Sequence, residues 1–403
     1  MSIWSRITGR AEPVEVKDFT LANPALLSLF GGTVTASGVT IGEATVMRQS
    51  VAGACVRLLS STMGTLPVHV FQKDEDGGRS RADHPAERVN GSFVSPWLSS
   101  AEFRQSLTKR AIFDGASYAI VNRIRGAVRE IHPIPHSAVK RDELPSGEPV
   151  YVISRAGGGE TRHGFADVIE IRPFGGRSLA KDAGEAIGIA ITLERHAAKL
   201  FSNGGRPAGV LKVAGRLTAV AAERIAGAWN SSFGGENSGK TAVLEEGASF
   251  ESIALKSTDA QFLEMRAMQI NEICRAFDVP PVLVGDLSKA VWRNVEELAL
   301  VFVTYTLLPW LTCWENALER ALLTPAERAA GLYIEFDTAG LVRGDLASRM
   351  QAYREAISSK VMTPNEARSR ENLPRHADGD RLENPNTSSP GVPASPTDEA
   401  GDE

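Results

Sequence analysis

Thr258-Asp259-Ala260-Gln261-Phe262-Leu263-Glu264 opens the stretch that decides how this chain is organised, and Phe277-Asp278-Val279-Pro280-Pro281 closes it. The opening reads as a capping box, in which a Thr oxygen and the side chain three residues on satisfy the first free N–H groups of a helix. Phe262, Ile270, Ile273 and Phe277 follow as the apolar positions of that helix. The paired prolines stop it, because neither has an N–H to donate. A second helix is expected upstream, where the chain from Asp182 to Phe201 is Ala-rich with few breakers. Between the two lies a small module over residues 204–257. It holds the Gly204-Gly205-Arg206-Pro207 turn, a strand near Val210–Val213 and a helix around Thr218–Trp229. A Gly-rich loop, Phe233–Lys240, and the strand pair Ala242–Leu244 and Ser249–Leu255 complete it. Two long helices that bracket a small module predict a stalk with a tip rather than a single globule.

Outward from this stalk, residues 1–42 are Gly-, Ser- and Thr-rich with one apolar patch at Leu26–Phe30, and are expected to form a loosely ordered arm. A helix is predicted from Glu43 to Met63, with Met47, Val51, Cys55 and Leu58/Leu59 at i, i+4 spacing. A second starts at the box Ser99-Ser100-Ala101-Glu102. Strands are expected at Ser117–Ile124, Val128–Ile131, Val150–Ser154 and Asp167–Ile171, so residues 43–181 read as an α+β domain. Downstream of residue 279, a polar and basic loop with Ser288, Lys289, Trp292 and Arg293 leads into an apolar helix over about Asn294–Leu323. A returning strand at Leu332–Phe336 and two helices over 343–376 follow, the last opened by Thr363-Pro364-Asn365-Glu366.

Charge narrows the function. The 403 residues carry 44 Lys and Arg against 49 Asp and Glu, a net of −5. From Ala377 onward seven acids face one Arg381, a net of −6, which leaves a body at +1 and a tail expected to be disordered. That balance excludes a histone-like or basic-arm DNA binder. Cys55, Cys274 and Cys313 sit far apart in apolar runs and read as small hydrophobes in a reduced compartment. No zinc spacing occurs, so neither a metal nor a cofactor is expected, and Met1–Asp18 has no signal-peptide core. Leu298–Trp314 is uncharged over seventeen residues, the lower limit for a membrane span. Pro309, three threonines and the flanking Glu297 and Glu315 favour a buried helix, covered in part by neighbouring subunits, over a membrane pore.

One motif match points elsewhere. Gly234 to Thr241 satisfies G-x-x-x-x-G-K-[ST], the phosphate loop of a P-loop ATPase. That loop needs a strand before it and a helix after it. Here a helix precedes and a β-like run follows directly after Lys240, so a surface loop with one solvated lysine is the better reading. His132 and His136 are separated by Pro133 and Pro135, which prevent the helix that would align them. No G-x-S-x-G elbow exists, and the acid pairs Glu245/Glu246 and Glu296/Glu297 read as turn and helix surface. An enzyme is not expected.

Several segments, taken in order, resemble the portal proteins of tailed double-stranded-DNA bacteriophages, in the branch of long-tailed phages, prophages and gene-transfer particles. They include Leu66-Pro67-Val68-His69-Val70-Phe71, Asp83-His84-Pro85, Phe201 to Leu211, Ala242 to Gly247, the 259–281 stretch with Gly285-Asp286, Tyr305 to Leu311, and Thr363 to Arg368. The chain departs at Phe113-Asp114-Gly115-Ala116-Ser117-Tyr118, where the family often carries a polar Asn. The resemblance implies an α+β portal-like protomer: a mixed α/β wing (43–181), stem helices (182–203 and 258–278), an α/β clip (204–257), a tunnel loop with a long helix (279–342) and a helical crown (343–376). It also implies a dodecameric ring that passes double-stranded DNA at one capsid vertex of the virion, assembled in the host bacterial cytoplasm. The expected partners are the major capsid protein, the terminase large subunit and a head–tail connector, with no membrane. Lys289, Trp292 and Arg293 would face DNA, and Arg206, Lys212, Arg216 and Lys240 would serve clip docking.

Overall fold

The computed structural model describes residues 33–74, 78–155, 157–202, 209–213, 215–233, 248–252, 258–287, 295–342, 346–371 and 373–382. They belong to two compact units, one ending at Thr338 and one beginning at Ala339.

The first unit opens with an antiparallel hairpin, β1 (Thr33–Val34) and β2 (Thr40–Ile41), so the last residues of the expected loose arm are ordered. The Thr35 hydroxyl closes the turn on the Val39 carbonyl at 2.9 Å, and the Ala36 N–H reaches the Glu185 carboxylate at 3.1 Å. Gly188 permits this docking, since a Cβ there would lie 2.5 Å from the Ser37 hydroxyl. The single helix expected from Glu43 to Met63 is two, α1 (Glu43–Arg48) and α2 (Ser50–Thr65). Gln49 takes extended angles between them and its side chain accepts the Ala52 N–H at 2.7 Å. Glutamine stands outside the Ser/Thr/Asn/Asp set that marks helix starts in a sequence, which is why the break was hidden.

Strands β3 (Val68–Lys73) and β4 (Arg79–Arg81), helix α3 (Pro85–Gly91) and the short hairpin β5 (Phe93–Ser95) and β6 (Leu98–Ser99) lead to α4 (Ser100–Asp114). The Ser99 hydroxyl accepts the Glu102 N–H at 3.1 Å, the cap the sequence predicts. Gly115 ends α4 with φ +84°, and a Cβ there would sit 2.1 Å from the Gly176 carbonyl oxygen, so only glycine fits. Next, β7 (Ser117–Ile124), β8 (Ala127–Ile134), β9 (Val139–Glu143), β10 (Pro149–Ser154), β11 (Glu160–Gly164) and β12 (Val168–Ile171) form two antiparallel sheets, ordered β12-β7-β8 and β11-β10-β9. Tyr118, Ile134, Tyr151, Ile153 and Val168 fill the core they share. The Tyr151 hydroxyl donates to Glu170 at 2.8 Å, which satisfies a polar tip inside that core.

Then come α5 (Leu179–Asp182), α6 (Gly184–Ser202), β13 (Gly209–Lys212), α7 (Ala219–Phe233), β14 (Ser249–Ser252) and α8 (Thr258–Ala276). β13 and β14 pair antiparallel. The described partner of residues 249–252 is thus 209–212, and the expected partner Ala242–Leu244 lies outside the described residues. α9 (Val295–Val301) runs into a π-helical stretch, Phe302–Leu307, and on into α10 (Leu308–Leu322), α11 (Pro325–Ala329) and β15 (Leu332–Phe336). The expected uninterrupted helix therefore carries a widened turn. Pro309 has no N–H for the Tyr305 carbonyl and its ring crowds that turn, which an i→i+5 pattern relieves. β15 returns to pair with β3, giving the sheet β15-β3-β4, and α10 packs against β15 and β12.

The second unit holds α12 (Ala339–Val342), α13 (Leu346–Ser358) and α14 (Pro364–Arg370). Both halves of the Thr363/Glu366 capping box are formed. Arg349 binds the Glu371 carboxylate at 3.0 and 3.1 Å. Disorder was expected from Ala377, yet residues 377–380 form a turn on α14. Asn365 donates to the His376 carbonyl at 2.8 Å and to Asp380 at 2.9 Å, and its backbone N–H reaches the Gly379 carbonyl at 2.8 Å.

Candidate channel and docking sites

Helices α6 and α8, the two long helices expected from the sequence, pack against each other, with the His196 and Phe262 rings 6.0 Å apart. Between them in sequence, Trp229 of α7 stacks on Phe250 of β14 with centroids 5.2 Å apart, and Phe250 remains exposed. Of the four expected docking cations, Lys212 and Arg216 are described, and Arg206 and Lys240 lie outside the described residues. Lys212 ends β13 and pairs with Glu251 of β14. Both partners are exposed, so the pair contributes at most about 1 kcal/mol and is readily exchanged. Arg216 is exposed just past the same strand end.

Lys289, Trp292 and Arg293 also lie outside the described residues, but the base of their loop is defined. Phe277 and Val279 are buried at the end of α8, and Asp278 between them has φ +53°. A 3₁₀ turn, Pro281–Val284, follows and closes on Gly285 in the left-handed region. The Thr306 hydroxyl donates to the Asp278 carbonyl, which ties the segment before the loop to the segment after it.

The phosphate-loop motif lies outside the described residues as well. What precedes it is α7, a helix that runs to Phe233. A nucleotide loop is entered from a strand, so the order here is the one that disfavours an ATPase. His132 contacts Glu130 at 3.0 Å and stacks on Trp97, whereas His136 contacts the Ala116 carbonyl at 3.1 Å. The structure does not bring the two together on one ligand. Among the described residues no three His, Cys, Asp or Glu side chains are placed to hold a metal. Glu296 and Glu297 lie on α9, and Glu245 and Glu246 lie outside the described residues.

A surface that motif reading missed runs along α9, the π turn and α10. Phe302, Thr306, Leu307, Trp310, Leu311 and Trp314 are buried, while Leu300, Val301, Tyr305 and Leu308 are exposed, Tyr305 by 73%. The helix is apolar all round, but the other described residues cover only one side. α8 shows the same asymmetry, with Leu263, Met265 and Met268 exposed. Contiguous exposed apolar stripes on long helices mark contact surfaces. The signal was present as apolar residues on every face of one helix, and only the structure says which face is left over.

Comparison with known proteins agrees with this architecture. The sequence is 29% identical to the portal protein of Enterobacteria phage HK97 over 363 residues, covering 87% of this chain and 85% of that one. It is 28% identical to the probable portal protein of Streptomyces phage phiC31, over 94% and 87% of the two chains. The fold matches the crystal structure of an HK97-family phage portal protein from Corynebacterium diphtheriae with a TM-score of 0.57, at 19% identity over 75% of this chain and 97% of that one. It also matches a chain from the virion of a native gene transfer agent particle with a TM-score of 0.56, at 20% identity over 89% of this chain and all of the other. The profile of the family described as phage portal protein matches residues 50–372, from α2 through both stalk helices and the long helix to α14. Over that span of the sequence, the chain belongs to the phage portal protein family.

Proposed function

We propose that this chain is the protomer of a dodecameric portal ring at one capsid vertex, a passive, non-enzymatic conduit through which double-stranded DNA enters and leaves the particle. The observation that carries this reading is the family match over residues 50–372. The unpartnered stripe through Tyr305 and Leu308 supports a ring, because a neighbouring copy is the cover such a surface needs. The charge supports a conduit. Each added Lys–phosphate contact deepens a trap along the DNA, so a near-neutral body lets the duplex slide.

In this reading α6 and α8 form the stem, and the tip around β13, α7 and β14 is the clip that docks the terminase large subunit and then the head–tail connector. Arg206, Lys212, Arg216 and Lys240 are its cations. The antiparallel sheets form the wing, which meets the major capsid protein. Lys289, Trp292 and Arg293 line the constriction from a loop anchored at Asp278 and Thr306. The protein assembles in the host bacterial cytoplasm and remains in the virion.

Native mass spectrometry and negative-stain images of the purified chain test the ring. Closed rings of twelve copies are expected, and monomers at every salt concentration overturn the reading. Replacing Lys289, Trp292 and Arg293 together by Ala is expected to reduce packaged and retained DNA while rings still form. Unchanged packaging removes the loop from the channel.

A further inference from the structure

A groove of about 620 Å³ opens in the first unit, away from the stalk, where the β7–β8 turn, the start of β12, the end of α10 and the start of α11 meet. Its floor is apolar, with Val128, Phe165, Leu322 and Leu323, and Arg320 and Arg328 line it beside them. Two acids also line it, and both are engaged: Asp167 with Arg123 at 2.9 Å, and Glu327 with His84 at 3.1 Å. Arg320 is different. Its Nε is buried and has no hydrogen-bond partner among the described residues. A buried cationic donor without an acceptor costs more than an ordinary missing bond, so the site calls for an anionic acceptor.

We propose that this groove seats residues Glu12–Leu21 of the N-terminal arm. The arm reads Glu12-Pro13-Val14-Glu15-Val16-Lys17-Asp18-Phe19-Thr20-Leu21, with three acids against one lysine. In an extended chain, alternate residues share a face, so Glu12, Val14, Val16 and Asp18 present acid, apolar, apolar, acid. The groove lining holds matching groups, the cations Arg320 and Arg328 and the apolar Leu322 and Leu323. The two sets are complementary in charge and in apolar surface. Duplex DNA fits less well, because a run of phosphates would meet Asp167 and Glu327 on the walls and gain nothing from the leucine floor. The proposal does not depend on the channel reading.

Hydrogen exchange followed by mass spectrometry on the full chain tests it. Residues 12–21 are expected to be protected in the wild type, and the Arg320→Glu/Arg328→Glu variant to exchange there roughly tenfold faster. Adding Glu12→Arg and Asp18→Arg to that variant is expected to restore protection, which mere damage to the fold would not do. The Glu12→Arg/Asp18→Arg pair alone, which leaves the groove intact, is expected to expose residues 320–328. Exchange of the arm that ignores both charge reversals overturns the proposal. So does a groove protected by added 20-mer duplex DNA while the arm stays unchanged. Native mass spectrometry on the same samples reports ring formation separately, so failure of either reading is visible without the other.

Discussion

Trp314 donates its indole N–H to the Thr108 hydroxyl at 3.2 Å, and both residues are fully buried. The bond crosses from α10 to α4, and Phe103 meets the same indole edge-on with centroids 6.0 Å apart. The back of the long helix is thereby held in register against α4. Which residues remain on its outer face follows from that register, so this buried contact determines where Tyr305 and Leu308 are presented.

Replacing Trp314 separates the hydrogen bond from the packing. Trp314→Phe keeps most of the ring but leaves the Thr108 hydroxyl unsatisfied, a loss of about 1–3 kcal/mol. Trp314→Ala also opens a cavity and is expected to cost about 3–5 kcal/mol. Denaturant unfolding of the two variants checks the order, and a Trp314→Phe variant as stable as the wild type would show that the bond contributes nothing.

Arg104 is buried on α4 and ends α2 with its side chain, donating to the carbonyls of Met63, Gly64 and Leu66 at 3.2, 2.8 and 3.0 Å. Burial pulls its pKa down to about 10, so it remains charged at neutral pH. Arg104→Met strands three acceptors at a helix end and is expected to cost about 3–5 kcal/mol. Arg104→Lys recovers little, because a single ammonium cannot reproduce the planar fork. A lysine variant within about 1 kcal/mol of the wild type in denaturant midpoint would show that charge alone suffices.

The two long helices α6 and α8 and several of the strands were legible because their signals are local: an Ala-rich run without breakers, alternating Val and Ile, and prolines at the stops. The breaks were not. Gln49 caps α2 through a side chain that gives no compositional cue, and the π turn before Pro309 keeps the same apolar composition as the helix around it. The tail boundary moved because Asn365 fills its side-chain bonds from residues 376 and 380, a contact no periodicity announces. The candidate cations were chosen from their expected loops, and of them only Lys212 and Arg216 fall on described residues. The exposed stripe needed the protomer's own packing to be subtracted first.

Glu315 supplies a test by pH. Burial pushes its carboxyl up, opposed by the Phe336 N–H that it accepts at 3.0 Å, and reinforced by Glu335 and Glu319. The folded chain therefore keeps this proton to higher pH than the unfolded chain. The resulting stability is fully present below the unfolded value and is lost as pH rises through the folded one. Glu315→Gln keeps an acceptor for Phe336 and removes the buried charge, so it is expected to melt above the wild type at pH 8. That gap is expected to close as pH falls toward the ordinary carboxylate value. A gap that widens on acidification would reverse the assignment.

The turn on α14 fixes how far the C-terminus can be trimmed. Ending the chain after Leu382 leaves every bond of Asn365 in place, whereas ending it after Ala377 removes its Asp380 and Gly379 partners. The chain ending after Leu382 is expected to match the full chain in thermal midpoint. The shorter one, like Asn365→Ala, is expected to lose about 1–3 kcal/mol from the polar groups left unpaired. Equal midpoints for all of these would detach the turn from stability.

The stripe makes the sharpest separation between folding and assembly. Tyr305 is 73% exposed and Leu308 51%, so the protomer's own core gains little from either. Exposed substitutions of this kind typically shift stability by no more than about 0.5 kcal/mol. In a closed ring the same positions would be desolvated against a neighbour, where an unpaired carboxylate costs several kcal/mol. That penalty recurs at every subunit contact around the ring. Tyr305→Glu and Leu308→Glu are therefore expected to leave the unfolding midpoint of the monomer unchanged while rings disappear from native mass spectra. Rings that persist in both variants would place the subunit contact elsewhere, and monomers with a lowered midpoint would show that the stripe belongs to the protomer's fold.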